Sequence, residues 1–110
     1  MPTKNDVGDT ALSRNEEGAV TAFQAIMLEK LKKNAHKGGW TRSDVRELFD
    51  RAAEEMKEAE EALERRFWSM LPGERETEAK NFAREAADVA NFLMMAADVM
   101  GALEYPGRAK

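Results

Sequence analysis

The sequence predicts an all-α protein: a bundle built on a helical hairpin and completed by oligomerisation. Three observations predict it. Apolar residues recur at helical spacing through three long segments. One Leu71-Pro72-Gly73 break separates the last two segments, where proline cannot continue a helix and glycine permits a turn. Ala, Glu, Lys, Arg and Leu dominate while aromatic residues make up only 7%, a helix-forming composition.

The totals narrow the function. A chain of 110 residues suits one domain, small enough for oligomerisation to help its core. Hydrophobic residues at 43% argue against wholesale disorder. A net charge of −4 argues against general binding to nucleic acid or acidic membranes, so an anionic ligand needs a metal or local basic groups. No cysteine is present, which excludes thiolate metal sites and thiol chemistry. The single histidine, His36, sits in no recognisable triad motif. The start, Met1-Pro2-Thr3-Lys4, lacks the apolar stretch of a signal peptide. The run from Phe92 to Ala97 is far too short to span a bilayer. A cytoplasmic protein is expected.

Residues 1–12 read as a flexible leader, 13–104 as the helical domain and 105–110 as a tail. Ser13 followed by Glu16 fits a capping box, starting a helix near residue 14. Its apolar positions include Val20, Phe23, Ile26, Met27 and Leu31. Lys30, Lys32 and Lys33 crowd its end, where cations suit the helix dipole. Gly38-Gly39 should terminate it. Thr41 and Asp44 resemble a second cap. Val45, Leu48, Phe49, Ala52, Met56, Ala59 and Leu63 then form one stripe, on a helix expected to run to about Met70. A third helix should follow Gly73 and reach about Leu103. From Ala86 it is apolar nearly all round, so it should be buried nearly all round, against other subunits.

Two acidic pairs stand out on the hairpin, Glu55 with Glu58 and Glu85 with Asp88. Residues three apart share a helix face. Glu58 lies 14 residues before Pro72 and Glu85 lies 13 after; Glu55 lies 17 before and Asp88 lies 16 after. At about 1.5 Å rise per residue, each pair is level to within roughly 2 Å. At about 100° per residue, Glu55 falls roughly 80° from the centre of the second helix's apolar stripe and Glu58 roughly 140°. Glu85 and Asp88 share a face with Phe92, Met95 and Val99. Facing carboxylates repel unless protonated, matched by basic groups or bridged by a cation. The plain alternative is salt bridging, since Arg51, Lys57, Lys80 and Arg84 are near in sequence. Oxygen ligands without His or Cys point to a hard cation, Mg2+ or Mn2+. A di-iron bundle uses Glu-x-x-His motifs, and none is present.

The pattern Glu54-Glu55-x-x-Glu58, a 26-residue spacer and Glu85-x-x-Asp88 resembles the MazG-like, all-α nucleoside triphosphate pyrophosphohydrolases. The continuation Val89-Ala90-Asn91-Phe92 is also similar to that family, and the resemblance covers roughly residues 20–103. It implies a helical homo-oligomer, a tetramer or a dimer. It implies hydrolysis of a (deoxy)nucleoside triphosphate to the monophosphate and pyrophosphate. By the same analogy Glu55, Glu58, Glu85 and Asp88 hold Mg2+, and Glu54 or a ligand such as Glu55 orients or deprotonates the attacking water. The alternative function is a non-catalytic helical oligomerisation module whose acids pair with arginines.

Other residues invite a substrate role. Asn91 lies on an apolar stretch, and a buried amide must find partners, in a ligand or in a neighbouring helix. Lys37-Gly38-Gly39-Trp40 offers a cation, a flexible loop and a stacking surface, without the P-loop pattern. In a simple hairpin Trp40 lies roughly 20 Å above Glu55, reaching it only if the loop folds back; otherwise it caps the end of the core. Phe23, Gln24 and Met27 are expected level with the carboxylates, Gln24 as part of a base pocket and the apolar pair as core.

Overall fold

The computed structural model describes residues 11–108, and these are all-helical, with no strand among them. The leader expected over 1–12 therefore lies almost wholly outside the described residues. Three helices follow in order: α1 (Arg14–Lys33), α2 (Val45–Trp68) and α3 (Pro72–Val99). A short 3-10 turn, Ala35–Lys37, follows α1.

The first helix starts as its sequence predicts. Glu16 N–H donates to the Ser13 hydroxyl at 3.1 Å, and Ser13 N–H donates to the Glu16 carboxylate at 2.8 Å. That reciprocal pair satisfies two otherwise orphaned donors. The helix ends at Lys33, ahead of the glycines expected to stop it. Asn34 halts it by donating its side-chain amide to the Lys30 carbonyl at 3.0 Å.

The second helix begins at Val45 rather than just after Thr41. Ser43 N–H closes a turn on the Trp40 carbonyl, and Asp44 is the cap, accepting the Arg46 N–H at 2.7 Å. Only two residues past Trp68 precede Leu71, the N-cap of α3. Pro72 does not merely end α2; it occupies the first turn of α3, where its missing N–H costs nothing. The third helix stops at Val99, short of Leu103. Ala102 N–H bonds the Ala97 carbonyl and Gly101 N–H bonds the Asp98 carbonyl, a Schellman end that needs the positive φ of 81° at Gly101.

The helices pack as a row with α3 in contact with both α2 and α1. The α2–α3 register is constant. Arg65 pairs with Glu78, and the Arg51 guanidinium lies over the Phe92 ring; the 14 residues from Arg51 to Arg65 match the 14 from Glu78 to Phe92. The same register sets Glu58 opposite Glu85 and Glu55 opposite Asp88, as the Pro72 fold point predicts. Antiparallel α1 places Met27 against Asn91 and Lys30 against Asp88.

The broad stripe of α2 divides in two. Leu48, Ala52, Ala59 and Ala62 are buried, whereas Phe49, Met56 and Leu63 remain about half exposed. Relative to the buried residues alone, Glu55 lies within roughly 30° of the face centre, closer than the whole stripe implies. Five of the six buried apolar residues are alanines, and no larger side chain is fully buried. Alanine lets two helices approach closely but buries little area. Replacing the fully buried Ala62 by leucine must separate the helices. Ala62→Leu should destabilise the protein by about 1–3 kcal/mol, read as a lower urea midpoint with unchanged helical circular dichroism.

Candidate metal centre and cavity

Three glutamates meet where α2 faces α3. Each of Glu55, Glu58 and Glu85 offers a carboxylate oxygen, and these oxygens all lie within 4.8 Å of one another. Glu58 is exposed, whereas Glu55 and Glu85 are part-buried. One oxygen of Glu85, Oε2, is buried with no hydrogen-bond partner. Among the described residues no lysine or arginine lies within salt-bridge distance of any of the three. The pairing with Arg51, Lys57, Lys80 and Arg84 therefore does not form at these glutamates. Arg51 instead lies 3.8 Å from Glu54 and over Phe92.

The electrostatics follow from that crowding. Burial, then the hydrogen bond and charge of Glu58, push the Glu55 carboxyl from its usual 4.5 up to about 8. Burial followed by Glu58 also raises Glu85. Glu58 moves down, because it accepts hydrogen bonds from Glu55 and then Glu85. Without a cation, protons fill the role of counter-charge.

The fourth expected ligand stands apart. Asp88 is level with Glu55 but turns to α1, where Lys30 Nζ lies 3.0 Å from its Oδ2. The sequence marks Lys30 only as a helix-end cation, and its partner depends on the α1–α3 register, which no local pattern carries. Glu54 is solvent-exposed beside Arg51 rather than in the cluster.

Next to the cluster lies a cavity of about 590 Å3, which Glu55 and Asp88 both line. Lys30, Lys37, Gly38, Gly39, Trp40 and Asn91 also line it, above Phe92 and Met95. The connection 34–44 thus contributes to the same cavity as Glu55. Trp40 is held at the end of α3, its Nε1 donating to Asp98 Oδ2 at 3.0 Å. Asn91 is 4% exposed; its Nδ2 donates to the Met27 carbonyl at 3.1 Å, while its Oδ1 has no partner. The carbonyl can only accept, so the amide orientation is settled by chemistry.

Gln24 does not join this group. It is exposed and absent from the cavity wall. With Lys30 opposite Asp88, Gln24 lies six residues, roughly 9 Å, further along α1. Met27 meets α3 at Asn91 rather than at the carboxylates.

Comparison with protein-family models, curated proteins and solved structures finds no match for this chain. No helix among the described residues is long and apolar enough to cross a membrane.

The donor set fits a hard cation: three carboxylates, no sulfur or imidazole, and one buried oxygen lacking a donor. A folded-state pKa above the unfolded one gives stability that is complete below the unfolded value and lost as pH rises through the folded value. In chelator, the melting temperature should therefore fall as pH rises from about 4.5 to about 8. Glu55→Gln should flatten that slope. A chelated protein whose melting temperature rises over this window would contradict the crowded-carboxylate account.

Proposed function

We propose that the protein is a homo-oligomeric, Mg2+-dependent hydrolase that converts a (deoxy)nucleoside triphosphate to the monophosphate and pyrophosphate, with Mn2+ as an alternative cation. The observation that carries this reading is the trio of unmatched glutamates at the edge of a cavity of nucleotide size. Glu55, Glu58 and Glu85 hold the cation. When bound, it neutralises phosphate charge and makes water a better nucleophile.

The remaining residues take roles suited to their positions. Lys30 lines the cavity and its charge acts on Glu58, so it meets the phosphates. A phosphate that took up the Lys30 ammonium would free the Asp88 carboxylate, which could then serve beside the three glutamates in holding the cation. Lys37, exposed, and Arg51 add further cations on the cavity wall. Asn91 lines the cavity, and its buried, unpartnered Oδ1 would accept from a sugar hydroxyl that reaches it. Glu55 touches both cluster and cavity and is the carboxylate best placed to receive the proton of the attacking water. The MazG-like resemblance implies the same three glutamates with Asp88 as ligands and allows Glu55 as the base, whereas Glu54, its other candidate base, faces solvent beside Arg51.

Oligomerisation has its own support. Phe49, Met56, Leu63 and Phe67 on α2, with Phe82 and Leu93 on α3 and Met100 at its C-cap, are among the exposed apolar side chains available to it. The same observation suits an oligomerisation module without catalysis, so activity must decide.

Pyrophosphate release from a panel of canonical and modified nucleoside triphosphates should require Mg2+ or Mn2+; no release from any of them sinks the hydrolase. Glu58→Gln should lower turnover by about a hundredfold or more while the melting temperature in chelator holds or rises. Unaltered turnover would refute the ligand assignment. Sedimentation equilibrium should give a dimer or tetramer, and a monomer at micromolar concentration would remove the oligomer.

A further inference from the structure

Ten residues beyond Asp88, α3 carries a carboxylate that the glutamate cluster does not use. Asp98 is 6% exposed. Its Oδ2 accepts the Trp40 indole N–H at 3.0 Å. Its Oδ1 accepts the Tyr105 hydroxyl at 2.8 Å and an Arg108 guanidinium N–H. A second Arg108 nitrogen donates to the Asp98 backbone carbonyl at 2.8 Å. All three donor residues lie outside the helices: Trp40 between α1 and α2, Tyr105 and Arg108 beyond α3. The hydrogen bonds from Tyr105 and then Trp40 hold the Asp98 carboxyl below the usual range, so it is charged at neutral pH.

This arrangement fixes a cavity wall. An indole N–H lies in the plane of its ring, so a bond through it orients the plane and leaves the ring faces free to stack. Among the described residues, Trp40 is the only side chain of residues 35–43 bonded to another part of the chain. Its ring lines the cavity on which Lys30, Asp88 and Asn91 also open. The Schellman end at Gly101 reverses the chain and brings Tyr105 and Arg108 back to the carboxylate.

We propose that Asp98 is a positioning residue: clasped by Tyr105 and Arg108, it holds Trp40 as the stacking wall for the aromatic base of a nucleotide. This rests on the nucleotide reading above, with phosphates directed to Lys30 and the glutamates. Removing the clasp frees the indole and lowers affinity for the base, while the cation site, roughly 15 Å away along α3, keeps its ligands.

The sequence has two tryptophans. Trp68 is 73% exposed and bonds only Glu64, so Trp68→Phe leaves Trp40 as the sole indole reporter. In that background, Trp40 emission is titrated with the four common deoxynucleoside monophosphates, without metal. At least one should quench it. Asp98→Asn and the milder Arg108→Gln should weaken that binding on the order of tenfold and shift the emission to the red, with Mn2+ affinity unchanged. Unchanged nucleotide affinity and emission in Asp98→Asn, or in Arg108→Gln where Asp98→Asn does not fold, overturns the positioning role. So does a parallel loss of Mn2+ affinity, which marks a general structural role. Failure of the parent to bind any monophosphate overturns the base wall, even where triphosphates still release pyrophosphate. Monophosphate binding without pyrophosphate release keeps the wall and removes the hydrolase.

Discussion

Every other feature depends on the close approach of α2 and α3. Alanines at 52, 59, 62, 87 and 96 make it possible by leaving little side chain to separate the helices. The Arg65–Glu78 pair and the Arg51–Phe92 contact mark its constant register. That approach is also what crowds Glu55, Glu58 and Glu85 together. A looser hairpin would leave them hydrated and apart, with ordinary acidities. The seam thus couples packing to electrostatics: the geometry that buries alanine also creates the demand for a counter-charge.

The cluster sits against the cavity as an edge rather than a centre. Glu55 touches both, whereas Glu58 and Glu85 lie outside the cavity wall. The cavity itself is mixed, with Phe92 and Met95 below and Lys30, Lys37 and Asn91 around it. An apolar floor with few polar groups is how pockets orient a ligand. Lys30, Lys37 and Arg51 on the wall offset the negative charge of the chain locally.

Local signals were the legible ones. Ser13 and Glu16 form the predicted box, and the Pro72 fold point places Glu58 level with Glu85 to within a turn. These depend on rise per residue and on neighbours three apart, which a single sequence carries. What failed was long-range. Trp40 reaches the cavity because it bonds Asp98, 58 positions later, and nothing near Trp40 signals that. Lys30 finds Asp88, and Gln24 misses the site, through a helix register set by packing. The stripe of α2 reads as one face, yet only Leu48, Ala52 and Ala59 of it are buried. Spacing identifies a face but not which neighbour covers it. Tyr105 and Arg108, grouped with the tail, bond Asp98 through a turn that Gly101 alone could suggest.

The attachment of α1 has a different kind of consequence. No residue of this helix is buried in the single chain. Its polar links to α3 are the Lys30–Asp88 pair and the Asn91 amide on the Met27 carbonyl. A helix held by a few polar points and half-buried side chains belongs to the low-stability end of the native-state spectrum, where local opening precedes global unfolding. Because α1 forms one wall of the cavity, its opening is also a doorway. In the isolated chain, hydrogen exchange in α1 and access to the cavity would be two views of one motion.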